Sequence, residues 1–208
     1  MIWLTNEITF PDYQSVNEDG VIALGGNLSE ERLIHAYENG IFPWYSEGEP
    51  IVWYCPHKRM VLFKDEIKIS KSMRKIIKSA DFSITENKAF QEVIYNCKNI
   101  SRADGFGTWI TDKMEQAYIN LHKKGIAKSI EVWFNDELVG GLYGLEINNI
   151  FCGESMFSKA SNTSKLAFIH LVKNKNYRLI DCQMYNDHLA SLGAREIERS
   201  AFLEILKQ

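Results

Sequence analysis

The sequence predicts an α+β fold: a mixed sheet flanked by helices, preceded by a small N-terminal α+β domain. Three observations predict it. First, strand patterns at 129–134, 137–147 and 150–157 follow one another through two-residue links, Asn135-Asp136 and Asn148-Asn149. Asn and Asp tolerate the positive φ that tight hairpin turns need. Second, helical periods at 88–97, 111–123 and 161–173 precede and follow that antiparallel run. The chain therefore does not alternate strand and helix as a doubly wound sheet does. Third, the character of the chain changes near residue 60, from loop-rich, aromatic and acidic to basic and periodic. Residues 1–60 are expected to form the small domain and residues 61–208 the larger one.

Each element has a local reason. Gly25-Gly26 and Gly40 mark turns, and residues 29–39 between them read as a helix. Ser29 is its N-cap, Glu30 and Glu31 suit the positive end of the helix dipole, and Gly40 stops it. Leu33, Ile34, Ala36 and Tyr37 form its apolar face. The aromatics of 41–45 and 51–54 read as a small packed core. Residues 60–64 predict a strand, and residues 70–79 a helix with Met73, Ile76 and Ile77 on one side. A strand at 82–85 precedes the helix at 88–97. The helix at 111–123 is capped by Thr111 and stopped at Gly125. After the three hairpin strands and the helix at 161–173 come a short strand at 179–183 and a helical C-terminus. This element order is the pattern of the N-acetyltransferase fold.

Charge and cysteines narrow the function. The net charge of −3 is ordinary, but its distribution is not. Residues 1–56 carry nine acidic residues and one basic one, whereas residues 57–78 carry eight basic and two acidic. Lys71, Arg74, Lys75 and Lys78 share a short helix with no acidic residue among them, so their repulsion is uncompensated unless a polyanion relieves it. Cys55, Cys97, Cys152 and Cys182 are widely spaced, with no C-x-x-C and no Cys/His pair at zinc-ligand spacing. They read as buried thiols of a reducing compartment, and no metal is expected. No apolar run reaches the length of a membrane span, and the N-terminus lacks a signal-peptide pattern. A cytoplasmic protein with no membrane partner is expected.

The residues that could do chemistry cluster late in the chain. In Leu179-Ile180-Asp181-Cys182-Gln183, strand alternation puts Asp181 and Gln183 on one face. A carboxylate and a carboxamide on an apolar strand need partners, which makes them either a structural hydrogen-bonded pair or a site. Glu154 lies amid apolar residues of the third hairpin strand, beside Gly153, which suggests a bulge. Its partner is either a structural cation such as Lys165 or Arg195, or a cationic group of a substrate. Gly140-Gly141 would let a substrate approach the sheet backbone closely. No phosphate-binding glycine loop is present, including the Q/R-x-x-G-x-G/A loop of coenzyme A enzymes, and no nucleophile elbow surrounds any of the five His residues.

At this point a resemblance covers nearly the whole chain. Gly20 to Ser29, Tyr37-Glu38-Asn39-Gly40-Ile41-Phe42-Pro43-Trp44, Thr108-Trp109-Ile110-Thr111 and the run from Glu137 to Gly144 resemble the leucyl/phenylalanyl-tRNA–protein transferases. So do the run from Gly153 to Ser158, Asp181-Cys182-Gln183 and the run from His188 to Ala194. Asn27 stands where that family usually has Asp, and Glu198 where Pro is common. The resemblance implies an acetyltransferase-like domain behind a small N-terminal one. It implies transfer of Leu, Phe or Met from aminoacyl-tRNA to proteins or peptides with N-terminal Arg or Lys, marking them for degradation.

By the same resemblance the catalytic residues are Asp181, Gln183 and Glu154, and the aminoacyl and adenosine contacts are Trp53, Trp109, Tyr118, Leu142 and Ile180. The family's tRNA-contacting helix matches Arg74, Lys75 and Lys78 approximately, and the charge pattern adds Lys71 to the expected tRNA contacts. No cofactor is implied, and a monomer is expected. The rivals are a coenzyme-A-dependent N-acetyltransferase, a non-catalytic tRNA-binding module and a sister transferase for acidic acceptors. The chemistry implied is aminolysis of an ester, in which Gln183 would orient the amine, Asp181 would fix Gln183 and help manage the proton, and Glu154 would hold the acceptor's cationic N-terminal side chain or its ammonium group.

Overall fold

The computed structural model describes residues 1–79, 81–100 and 109–208. Two sheets organise it. The smaller has the order β1-β2-β4-β3, from β1 (Trp3–Leu4), β2 (Val21–Gly25), β3 (Phe42–Pro43) and β4 (Val52–Tyr54), with α1 (Glu30–Glu38) between β2 and β3. Ser29 caps α1 as expected, accepting from the Arg32 N–H. The larger sheet begins with β5 (Lys58–Leu62) and continues through α2 (Lys71–Ser79), β6 (Ser83–Glu86), α3 (Phe90–Asn99) and α4 (Asp112–Lys123). Three long strands follow, β7 (Ala127–Phe134), β8 (Glu137–Ile147) and β9 (Ile150–Ser158). The C-terminal elements are α5 (Thr163–Asn174), β10 (Ile180–Gln183), α6 (Asp187–Ser191), β11 (Arg195–Glu198) and α7 (Arg199–Lys207).

The seven strands run in the order β11-β5-β10-β9-β8-β7-β6. β6 to β9 form an antiparallel meander whose turns use positive φ at Asn135, Asp136, Asn148 and Asn149. β10 then joins β9 in parallel, but only at Ile180↔Phe151 and Asp181↔Cys152. Beyond that point β9 continues to Ser158, while β10 ends at Gln183 and the chain turns into α6. The sheet therefore splays between β9 and β10, within the mixed sheet flanked by helices that the element order predicts. The sequence reading omitted α6 and β11, each only four or five residues long.

Helices cover both faces of this sheet. On one face lie α3, α4 and the small N-terminal sheet, joined in one apolar core that includes Tyr37, Phe42, Trp53, Tyr118, Cys152 and Phe202. On the other lies α5, in a core with Met60, Met73, Leu142, Phe168 and Ile180. Gly140 and Gly141 serve this packing. A side chain at Gly140 would meet Thr163 at 2.4 Å, and one at Gly141 would meet the Ile130 carbonyl at 2.7 Å. The protein's own atoms occupy the space that the sequence reading reserved for a substrate. No described helix is long and apolar enough to cross a membrane.

Candidate active site

The site forms where β9 and β10 part. β8 and β9 pair Tyr143 with Ser155 and then Gly144 with Gly153, so Glu154 is an extra residue in a β-bulge. A bulge re-aims its side chain. Here the carboxylate meets two helices. Tyr37 of α1 donates to Glu154 Oε1 at 2.6 Å, and Tyr118 of α4 donates to Oε2 at 2.8 Å. The two phenol oxygens are themselves 2.6 Å apart. Gln183 Nε2 donates to Oε1 at 2.7 Å. The expected partners Lys165 and Arg195 are elsewhere: Arg195 pairs with Glu66, and Lys165 adds its charge beside His188.

These contacts set the proton balance of Glu154. Burial pushes its carboxyl up to about 7, although hydrogen bonds from Tyr37, Tyr118 and Gln183 pull the other way. Burial first, and Glu154 second, push both phenols well above the ordinary tyrosine range. Counting hydrogens gives the same picture. Three short oxygen–oxygen contacts link Tyr37, Tyr118 and Glu154. The two phenols supply one proton each, so an ionised Glu154 leaves one contact without a hydrogen and a protonated Glu154 fills all three. The triad is built to accept one proton near neutrality.

Gln183 reaches this triad by an irregular backbone rather than by strand alternation. Its φ is +64°, and the β10–β5 register shifts between Asp181 and Gln183. A non-glycine residue in the left-handed region costs about 1 kcal/mol or more. Asp181 holds it there, since Oδ1 accepts the Gln183 N–H at 2.9 Å. Asp181 is fully buried and paired with Arg59. Arg59 is thus not part of the exposed basic stripe in which the sequence reading counted it.

The expected substrate contacts fall on both faces of the sheet. Tyr118 and half-buried Trp109 lie on the α4 side, whereas Leu142 and Ile180 lie in the apolar layer under α5. Thr108, which precedes Trp109 in its motif, lies outside the described residues. Trp53 does not fit its expected role. It is fully buried, donates from Nε1 to the Gly25 carbonyl at 2.9 Å, and packs edge-on against Phe10. The tryptophan beside Trp109 is Trp44, 42% exposed, with the two rings 6.5 Å apart and steeply tilted. Sequence reasoning passed over Trp44 and Tyr37, both read as parts of apolar stretches.

Lys71, Arg74, Lys75 and Lys78 are all exposed on α2, whose Met73 and Ile76 anchor it to the α5-side core. That core also takes in Met156, Leu189 and Ala190, from the two chain segments that flank the splay. Among the described residues, no group of three or more His, Cys, Asp or Glu is arranged to hold a metal ion.

Comparison with known proteins identifies the family. The leucyl/phenylalanyl-tRNA protein transferase family matches residues 61–207, and the N-terminal domain of the same transferases matches residues 26–57. A leucyl/phenylalanyl-tRNA–protein transferase of Flavobacterium johnsoniae is 57% identical, covering 100% of this chain and 99% of that protein. One of Flavobacterium psychrophilum is 55% identical over 100% of both chains. Among solved structures, a GCN5-related N-acetyltransferase-like protein of Streptococcus suis aligns with a TM-score of 0.34 at 10% identity, covering 78% of this chain and 61% of that one. The full-length matches at this level of identity leave one assignment: the chain belongs to the leucyl/phenylalanyl-tRNA–protein transferase family.

Proposed function

We propose that this chain, as a monomer, transfers leucyl, phenylalanyl or methionyl groups from charged tRNA to proteins whose N-terminal residue is Arg or Lys, and that the transfer takes place at Glu154 and Gln183. The observation that carries this reading is the Tyr37–Tyr118–Glu154 triad beside the Gln183 carboxamide. An acceptor α-ammonium ordinarily titrates near 8, and the Glu154 carboxyl at about 7. Proton transfer between them is close to balanced, which suits a general base.

The chemistry then needs no covalent enzyme intermediate. Glu154 takes a proton from the acceptor ammonium. The freed amine nitrogen attacks the carbonyl carbon of the aminoacyl ester, forming the C–N bond. The bond from that carbon to the ribose oxygen breaks, the proton held at Glu154 passes to the departing oxygen, and the nitrogen sheds its second proton, through the emptied Glu154 carboxylate to solvent, as it becomes the amide. Gln183 donates to Glu154 through Nε2, which leaves its Oε1 as the acceptor that would orient the amine. Asp181 fixes Gln183. Fixed geometry of this kind is the main contribution a protein can make to an already activated ester.

Binding follows from the surrounding surfaces. Trp44 and Trp109 offer rings on which the terminal adenosine can stack, a contact worth about 1–3 kcal/mol. The aminoacyl side chain would pack against the apolar layer of Leu142 and Ile180 on the side of the partly buried Met156, Cys182 and Leu189. Each methylene there discriminates by only about 1–3 kcal/mol, so Leu, Phe and Met are all accepted. The cations of α2 supply phosphate contacts, which makes tRNA affinity salt-dependent.

The test is transfer of radiolabelled leucine from Leu-tRNA to a peptide beginning with Arg, run beside one beginning with Glu. Transfer to the Arg peptide alone is expected, and preference for the Glu peptide would sink the acceptor assignment. Replacing Arg74, Lys75 and Lys78 with Gln is expected to raise the KM for charged tRNA and to lower the log–log salt slope by about 2–3. An unchanged slope would return α2 to the role of solvated surface.

A further inference from the structure

Within the strands that carry the site lies a second charged group, one that is buried and makes no hydrogen bond to the Glu154 triad. Arg59, on β5, is 2% exposed. Its Nε donates to Asp181 Oδ1 and its Nη2 to Oδ2, both at 2.7 Å. Its Nη1 donates to the Gly40 carbonyl at 3.0 Å. The guanidinium lies over the rings of Phe42 and Phe202, 4.6 and 4.7 Å from their centroids. One side chain therefore ties the turn after α1, the small sheet and α7 to the strand that bears Asp181. A planar fork held at both oxygens and stacked on aromatic rings has one geometry.

The consequence for Asp181 is that three of its roughly four lone-pair positions are committed. Oδ1 takes Arg59 Nε and the Gln183 N–H, Oδ2 takes Arg59 Nη2, and the residue is fully buried. No face of the carboxylate remains for a substrate. What Asp181 does reach is the left-handed backbone at Gln183, a conformation that a glutamine leaves unless something holds it. That turn carries the Gln183 carboxamide to Glu154.

We propose that Arg59 is a positioning residue for aminoacyl transfer: it fixes Asp181 as an anion that pins the Gln183 backbone and so aims the Gln183 carboxamide, and Asp181 carries no proton in the reaction. The inference rests on the Glu154–Gln183 reading of the site. It goes beyond that reading in excluding Asp181 from proton transfer and in adding a residue that never meets substrate.

The test measures kcat, and KM for both Leu-tRNA and an Arg-initiated peptide, with thermal unfolding of each protein. Arg59→Lys keeps the charge but loses the fork. It is expected to lower kcat by about tenfold with both KM values unchanged. Arg59→Met leaves a buried carboxylate unpaired and is expected to lose more. Arg59→Met with Asp181→Asn replaces the ion pair by neutral groups of similar volume, which buried sites tolerate, and the Asn oxygen can still accept the Gln183 N–H. The double variant is expected to recover at least about tenfold in kcat over Arg59→Met, or over Asp181→Asn where Arg59→Met does not fold. A folded double variant no more active than Asp181→Ala would overturn the proposal, because the charge or proton of Asp181 would then be needed. A raised KM for Leu-tRNA with unchanged kcat in Arg59→Lys would overturn it too, making Arg59 a tRNA contact. Wild-type enzyme inactive with these two substrates would instead overturn the underlying reading, and this is seen before any variant is compared.

Discussion

Glu154 and Asp181 are carboxylates on adjacent strands of one sheet, and both bind Gln183. Their surroundings differ in kind. Glu154 receives only neutral donors, two phenols and a carboxamide, and remains partly open at the splay. Asp181 receives a guanidinium through both oxygens and is sealed. Neutral donors soften burial without fixing the charge, so a proton can come and go near neutrality. A permanent cation in bidentate contact locks the charge and turns the carboxylate into a structural pin. Sequence alone gives no way to tell these two carboxylates apart, but their partners do: neutral donors surround one and a bidentate cation holds the other.

The largest expected effects separate the two by fold and by activity. Asp181→Ala leaves Arg59 as a buried unpaired cation, which costs about 3–5 kcal/mol of stability. It also releases Gln183, so transfer falls by about 10²–10⁴-fold. Glu154→Gln keeps the shape of the triad and loses only the base. Its transfer falls by about 10²–10⁴-fold, while its stability stays within about 1 kcal/mol of wild type. Thermal unfolding beside the transfer assay reads both numbers. Equal destabilisation by the two substitutions would erase the distinction.

A smaller effect sharpens the account of Glu154. The Tyr37 hydroxyl lowers the pKa of the Glu154 carboxyl against burial. Tyr37→Phe removes that hydrogen bond, so the carboxyl rises further and the base is less available at neutral pH. The rising limb of kcat/KM, expected near pH 7 in wild type, should move to higher pH, with activity at pH 7 down by about tenfold. A pH profile that keeps its midpoint in Tyr37→Phe would remove Glu154 from the limb.

How much of this was legible beforehand follows from where each signal is stored. The hairpin turns were readable because Asn and Asp announce positive φ locally, and α1 and α4 because Ser29 and Thr111 are caps within the same segment. Glu154 and Gln183 stood out as polar residues on apolar strands, and they do meet. Arg59 was hidden because its burial is decided by Phe42 and Phe202, which come from opposite ends of the chain. Its neighbour Lys58 is an exposed cation, and counting charge along the sequence pools both with the basic run that ends at Lys78. Tyr37 was hidden for a related reason: a tyrosine on the apolar stripe of a helix looks like packing until the fold brings a carboxylate to its hydroxyl. Trp53 and Trp44 show the converse, since sequence gives no way to tell which of two nearby tryptophans is in the core. The left-handed backbone at Gln183 is set by a hydrogen bond from a side chain two residues away, which strand periodicity does not anticipate.

The smallest effect tests the contrast through stability alone. In the unfolded chain the Glu154 carboxyl titrates near 4.5, and in the folded protein near 7. Between those pH values the unfolded chain has released a proton that the folded chain keeps. Stability contributed by Glu154 is therefore present at low pH, declines as pH rises from about 4.5 to about 7, and stays flat above. At about 1.4 kcal/mol per pH unit the full gap would approach about 3.5 kcal/mol, and partial exposure of the group reduces this to roughly 1–2 kcal/mol. Other groups titrate in the same interval, so the informative quantity is the difference between wild type and Glu154→Gln in denaturant unfolding at pH 5 and pH 7. The variant is expected to gain relative to wild type as pH rises. Parallel stability curves would mean that Glu154 is already ionised at pH 5, leaving the triad short of a proton and Glu154 as fixed a charge as Asp181.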